Sequence, residues 1–293
     1  MLYHVTVPVS IVNDTCTLGA VTEKAMQPIE ITSFDIPGLQ LFRGLTDAQL
    51  RSRQHPEEAL LIAEGPKVVG TALDCGLRPV AMLMRRKMVD GAGRDLIARA
   101  GDIPLYTGDD DTLAALTGFR LQRAWVLCAF RRPPERSAGE CLRGARRVAY
   151  LEGLNEPSNV GAIFRAAAAL NLDALLLSPN CADPFHRRAV RVCMGAVFSL
   201  PWARLDSKEA IRLLKTEGFA TLGMALQDPC ETLGDPALRA YDRAAVFLGT
   251  EDTGLTADTV ALMDHIVRIP MARGIDSLNV ATAAAVAFWE LRT

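Results

Sequence analysis

Three polar stretches, each following or flanking an apolar run, hold side chains able to grip a nucleotide. The first is LEGLNEPSNVGAIFRAAAAL, residues 151–170. Its apolar run ends at Glu152–Gly153, and Ser158 and Asn159 are of the type that caps a helix start. Gly161 permits close backbone approach. Arg165 lies in an alanine-rich helical run, where its guanidinium either escapes to solvent or reaches across a cleft to a phosphate or ribose oxygen. The second stretch is VFLGTEDTGLT, residues 246–256. Gly249 and Gly254 have the glycine spacing of a phosphate-binding P-loop, but Leu255 and Thr256 stand where Lys and Ser/Thr are required, so an ATPase reading fails. Glu251 falls at the carboxyl end of a strand, where ligands of open α/β sheets gather. The third is IPMARGIDSLNVATAAAVAFWE, residues 269–290. Here Ser277 is placed to cap the last helix, Asn279 sits in its first turn, and the small residues of ATAAA let a cofactor or partner backbone come close.

Spacing alone makes none of the three decisive. No G-x-G-x-x-G is present, so a dinucleotide-binding fold lacks its fingerprint. Cys181, His186 and Cys193 fit no common zinc spacing, and no metal is expected. The seven cysteines are scattered, odd in number and without a C-x-x-C pair, which reads as reduced thiols in a cytoplasmic protein. No run reaches the length and apolarity of a membrane span, and the first residues lack a basic, then apolar, signal-peptide pattern. A net charge of −2 excludes a surface coated in positive charge but not a local basic patch.

The elements that must carry these stretches alternate. From about residue 57, ALLIAEG, PVAMLMR, IPLYTG and AWVLCAF read as strands, with helices PKVVGTALDCG, GRDLIARAG and DTLAALTG between them. That alternation predicts a mostly parallel sheet with covered faces, in an α/β domain over 26–132. Residues 1–25 belong to neither pattern and read as a loose extension. Residues 133–146 lie in a Pro-, Gly- and Arg-rich run without apolar periodicity, a basic linker. The run holds Arg131, Arg132, Arg136, Arg143, Arg146 and Arg147, with Arg120 and Arg123 nearby, and offers phosphate contacts. Over 147–293 the alternation restarts with RVAYLEG, DALLLS, FATLGMA, AAVFLG and HIVRIP as strands.

Together, the three stretches resemble the SpoU (TrmH) family of SPOUT methyltransferases. Asn159, Gly161 and Arg165 are similar to its first motif, N-x-G-x-x-x-R. Leu248 to Leu255 are similar to the second, L-G-T-E-x-x-G-L. Ile269 to Met271 with Ser277 to Ala281 are similar to the third. The segment DPFHRRAVRVCMGAVFSLP, residues 183–201, is similar to the stretch between motifs one and two in ribosomal-RNA-modifying members.

The resemblance implies a C-terminal trefoil-knotted parallel-sheet domain with a smaller N-terminal α/β RNA-binding domain. It implies methyl transfer from S-adenosylmethionine to a ribose 2′-hydroxyl, ribosomal RNA being the expected substrate and transfer RNA the alternative. It further implies a homodimer whose two subunits complete the site. By the same resemblance the catalytic set is Asn159, Arg165, Glu251, Ser277 and Asn279, and the cofactor is held near Leu248, Gly249, Ile269, Met271 and Leu278. Arg131, Arg132, Arg187, Arg188 and Arg191 are the expected RNA contacts. A base methyltransferase is disfavoured by Asn159 with Arg165, and a catalytically silent RNA-binding protein by an intact motif set. Asp252 departs from the family, where glycine is common, and adds a carboxylate beside Glu251. Removal of residues 1–145 is expected to weaken RNA binding while cofactor binding survives.

Overall fold

Short runs of apolar residues become strands covered on both faces, as α/β packing requires. The structure is a computed structural model that describes residues 27–36, 38–43, 50, 58–117, 125–274 and 277–292. The extension over 1–25 and the arginines at 120 and 123 lie outside the described residues.

The first unit holds β1 (Ile29–Glu30), β2 (Leu60–Glu64), β3 (Pro79–Arg85), β4 (Leu105–Gly108) and β5 (Val126–Arg131). Its described helices are α1 (Pro66–Asp74), α2 (Arg86–Val89), α3 (Arg94–Ala100) and α4 (Asp110–Thr117). The strand order is β1-β4-β3-β5-β2. β1, β4 and β3 pair in parallel, whereas β5 runs antiparallel to both β3 and β2. The sheet is therefore less parallel than alternation suggests. Apolar runs mark where strands lie, while their direction follows from how each connection crosses the sheet.

The second unit begins with α5 (Ala138–Leu142) and continues through β6 (Arg147–Leu151), α6 (Pro157–Ala169), β7 (Ala174–Leu177), α7 (Arg187–Val192), α8 (Ala196–Ser199) and β8 (Trp202–Arg204). It ends with α9 (Ser207–Thr216), β9 (Ala220–Met224), β10 (Glu231–Thr232), α10 (Pro236–Arg239), β11 (Ala244–Leu248), α11 (Ala257–Val260), β12 (His265–Arg268) and α12 (Val280–Leu291). The order β10-β12-β9-β11-β6-β7-β8 is parallel at every pairing. β11 lies between β6 and β9, so the loops leaving Leu151, Met224, Leu248 and Arg268 emerge along one edge of the sheet. Among the described residues no helix is long and apolar enough to cross a membrane.

The stretch read as a linker contains a helix. Ser137 caps α5 by accepting from Glu140 N–H, and the Glu140 carboxylate accepts from Ser137 N–H, a complete capping box. Ala138, Cys141 and Leu142 are buried against β7 and β8 in the second unit's core. Three buried positions suffice for a turn and a half of helix but are too few to show as periodicity. Part of the basic run is likewise spent within the fold. Arg147 is 6% exposed and donates to the carbonyls of Leu291, Asp242 and Tyr241. Arg146 pairs with Asp242 at 2.6 Å.

The two units share one apolar cluster, running from Leu61, Val68 and Met84 to Phe164, Val190 and Val197. Polar clamps flank it. Arg132 donates to both carboxylate oxygens of Asp183 at 2.6 and 2.9 Å and lies over the Phe185 ring. Arg187 and Arg191, on α7, stand 3.3 and 3.8 Å from the Glu64 carboxylate at the end of β2.

Candidate active site

The first motif loop leaves β6 and enters α6 at Pro157. Glu156, not Ser158 or Asn159, is the cap residue, accepting from Ser158 N–H at 3.2 Å and Ser158 Oγ at 2.5 Å. These hydrogen bonds hold its carboxyl below the usual carboxylate range, with Arg188 and His186 adding to the effect. Proline at the first helical position explains the shift, since its fixed φ and missing N–H suit that place. Asn159 consequently sits inside the first turn, its side chain directed at the second motif.

There the Glu251 carboxylate gathers two amides. Asn159 Nδ2 donates to Glu251 Oε1 at 2.8 Å, and Asn279 Nδ2 donates to the same oxygen at 2.5 Å. Asn279 Nδ2 also reaches Asn159 Oδ1 at 3.1 Å. A carboxylate only accepts, so it sets which end each amide presents. The Asn279 oxygen is left to accept Ala281 N–H at 3.0 Å, making Asn279 the cap of α12. The cap is thus two residues later than Ser277, whose exposed side chain makes no hydrogen bond among the described residues. One residue of each motif meets in this trio, across 120 residues of sequence between Asn159 and Asn279.

Beside the trio lies a cavity of about 450 Å³ between the loops after β9, β11 and β12. Leu248, Gly249, Ile269, Met271 and Leu278, the five residues expected to hold a cofactor, all line it, as do Glu251 and Ser277. Sequence reasoning missed Met224 to Gln227, which form one wall. Their signal was the carboxyl end of the strand FATLGMA, the same edge that marked Glu251. Leu248, Val260, Val267 and Val280 give the cavity an apolar body, and loop backbone and carboxylates give it a polar rim. The second motif loop is tight. Thr250 and Gly254 exchange both backbone hydrogen bonds, at 3.0 and 3.1 Å, and a Cβ on Gly249 would lie 2.0 Å from the Gly254 carbonyl carbon. Gly161 serves a different contact from a ligand approach. A Cβ there would meet the Ala189 carbonyl oxygen at 2.6 Å, so it brings α7 onto α6.

Arg165 does not join the trio within one chain. Six residues beyond Asn159 on α6, it emerges about 9 Å along and a third of a turn away. It is exposed and makes no hydrogen bond or ion pair among the described residues. Of the arginines expected to meet RNA, Arg132 is paired with Asp183 and its side chain is only 11% exposed. Arg131 ends β5 in a half-buried position, and Arg187 leans on Glu64. Arg188 and Arg191 are each 58% exposed, with acidic neighbours at 3.5 and 3.8 Å. Cys193, N-terminal to α8, has its thiol pushed up by burial, which suits packing rather than reactivity. Among the described residues no cluster of three or more His, Cys, Asp or Glu could hold a metal ion.

A second hollow, of about 490 Å³, opens at the opposite end of β6 and β11 between Arg143, Arg146 and Arg243. Its Arg243 guanidinium is tied to the carbonyls of Ala145, Leu142 and Glu217, so it is part of the chain's own scaffold.

Comparison with known proteins gives the chain's family. The model of the SpoU rRNA Methylase family matches residues 146–289. An uncharacterized tRNA/rRNA methyltransferase of Mycobacterium bovis is 42% identical over 87% of this chain and 88% of its own. The 23S rRNA guanosine-2′-O-methyltransferase RlmP of Bacillus subtilis is 30% identical over 65% of this chain and 73% of its own. In structure, an AdoMet-bound rRNA methyltransferase of Sinorhizobium meliloti matches with a TM-score of 0.73 at 24% identity, over 90% of this chain and 97% of that one. With its motifs meeting in one trio and a relative this similar along nearly the whole length, the chain belongs to the SpoU methylase family.

Proposed function

We propose that the protein transfers the methyl group of S-adenosylmethionine to a ribose 2′-hydroxyl of RNA, with ribosomal RNA as substrate. The observation that carries this reading is the Asn159–Glu251–Asn279 trio at the rim of a mostly apolar cavity. Relatives named as 23S rRNA guanosine-2′-O-methyltransferases support the ribose and the ribosomal substrate.

The cavity suits the donor. Its apolar walls fit a purine and the methylene chain of the methionyl part, and the loop backbone at Leu248, Gly249, Ile269, Met271 and Leu278 supplies hydrogen-bonding groups. When bound, S-adenosylmethionine supplies an electrophilic methyl on a sulfonium. The protein's own share is positioning, because a displacement of this kind needs an aligned nucleophile more than a covalent intermediate. Glu251 holds the first and third motifs together, and Asn159, Ser277 and Asn279 orient the ribose. Arg165 holds the nucleotide phosphate and stabilises the developing alkoxide; the phosphate or a water takes the proton.

The site is completed in a homodimer, with Arg165 reaching the trio of the partner subunit. Its distance from its own trio supports this, as do the alanine-rich faces of α6 and α12 and Trp289, 52% exposed on α12. The donor cavity is closed by a C-terminal trefoil knot, and the enzyme works in the cytoplasm. RNA contacts are assigned to Arg188 and Arg191, with Arg131 and Arg187 at their margin.

The test presents purified ribosomal and transfer RNA separately with a labelled methyl donor, then maps the label. Label at a ribose 2′-oxygen of ribosomal RNA is expected. Label on transfer RNA alone, or on a base, overturns the assignment.

A further inference from the structure

The described groups that Glu152 meets are neutral. It follows β6, is 7% exposed, and forms no ion pair among the described residues. Its side chain nevertheless accepts four hydrogen bonds. Ser207 Oγ, Thr256 Oγ1 and Thr259 Oγ1 reach Oε1 at 3.0, 3.0 and 2.8 Å, and Thr256 N–H reaches Oε2 at 3.2 Å. A buried carboxylate without these donors would be strongly unfavourable, and an apolar residue would serve a strand end at lower cost. What the carboxylate adds is a fixed place for its donors.

Two of those donors stand at the exit of the second motif loop. The loop begins after Leu248, which pairs with Leu151 and whose carbonyl accepts Glu152 N–H at 2.8 Å. It ends at Thr256, which caps α11 and is held by the Glu152 carboxylate. Both ends of the loop Gly249–Leu255 are therefore tied to the consecutive residues Leu151 and Glu152. That loop forms one wall of the 450 Å³ cavity.

We propose that Glu152 is a positioning residue for the methyl donor: it sets the exit of the loop Gly249–Leu255 and thereby the shape of the cavity. The inference rests on the donor-binding reading of that cavity. Glu152 itself does not line it, so its effect is transmitted through Thr256 and Thr259.

The test titrates S-adenosylmethionine into the full chain by calorimetry, with steady-state methyl transfer alongside. Wild type is compared with Glu152→Gln, Thr256→Val, the double variant and Ser207→Ala. Glu152→Gln should weaken donor binding and raise the donor KM about tenfold, while kcat at saturating donor and the KM for RNA stay within about twofold. The double variant should bind no more weakly than the worse single, because both remove one connection. Ser207→Ala, which takes a bond from the carboxylate without touching the loop, should bind like wild type. Unchanged donor binding in Glu152→Gln, losses that add in the double variant, or a fall in kcat alone would overturn the proposal. If Glu152→Gln loses its cooperative melting transition, Thr259→Val takes its place in the comparison under the same outcomes. Failure of the wild type to bind the donor would instead remove the reading on which the proposal stands, and the proposal with it.

Discussion

The geometry of this site turns on one acceptor that cannot donate. Glu251 Oε1 receives the amides of Asn159 and Asn279, and that choice leaves the Asn279 oxygen for the α12 cap. The two duties of Asn279 can be separated. Asn279→Ala loses both, and should cost about 1 kcal/mol of stability through the lost cap. Asn279→Asp keeps a capping oxygen but sets a second carboxylate against Glu251. It should retain more of the cap's stability than Asn279→Ala yet lose methyl transfer as fully. Thermal melts and label incorporation on both variants check this; an active Asn279→Asp would show that the trio's charge pattern is dispensable. The sequence made these residues findable because each lies in or at the end of a polar stretch that follows a strand and enters a helix, and because the three stretches together resemble one family's motifs. It concealed their mutual contact, because nothing local to Asn159 or Glu251 encodes a partner across the sheet. The partner of Arg132 was hidden for the same reason. In the chain Arg132 is one arginine of a basic run, and only the fold brings Asp183 to it.

Among the elements, two of the motif glycines do different work. Gly249 has no room for a Cβ beside the Gly254 carbonyl carbon at 2.0 Å, and Gly161 none beside the Ala189 carbonyl oxygen at 2.6 Å. Gly161→Ala should push α7 from α6 and destabilise the whole protein by about 1–3 kcal/mol. Gly249→Ala should open the loop Gly249–Leu255 and abolish donor binding while most of the melting temperature is kept. Denaturant melts paired with donor calorimetry separate the two, and equal loss of stability in both variants would contradict the assignment. Long elements were legible in the sequence, as β6, β9, β11 and α12 show, because their apolar runs last four residues or more. β8, at three residues, and α10, at four, are too short for periodicity to register. The α5 helix did carry a signal, Ser137 followed three residues later by Glu140, but the surrounding arginines and prolines made the stretch read as a linker. The α12 start shifted by two residues because both Ser277 and Asn279 can cap, and the Asn159–Glu251 contact decides between them.

At the scale of the whole molecule, the two units are held as one body by packing rather than connected by a tether. Phe185, Val190, Cys193 and Val197 lie in a cluster that also contains Leu61, Val68 and Met84 of the first unit. This changes what truncation should do. Cutting after residue 145 strips that cover, takes α5 from the core of the second unit and leaves the buried Asp183 without Arg132. The remainder should expose apolar surface and aggregate, so its loss of RNA binding would say little about recognition. Single changes ask the question better. Arg132→Ala removes the guanidinium from the Asp183 carboxylate, 4% exposed, and should cost about 3 kcal/mol, because breaking one side of a buried ion pair is strongly destabilising. Donor affinity at a temperature where the variant stays folded should hardly move, since neither residue lines the cavity. RNA affinity at that temperature should fall if the first unit must be held in place to present its surface. Arg188→Ala provides the contrast. Its guanidinium is 58% exposed near Glu156, so stability should change by no more than about 0.5 kcal/mol. Its RNA affinity should drop and the slope of log affinity against log salt should shrink by about one unit, the signature of one lost phosphate contact. Binding measured over a salt series decides the matter. An unchanged slope in Arg188→Ala would remove α7 from the RNA interface, whereas a reduced slope in Arg132→Ala at constant fold would add that arginine to it.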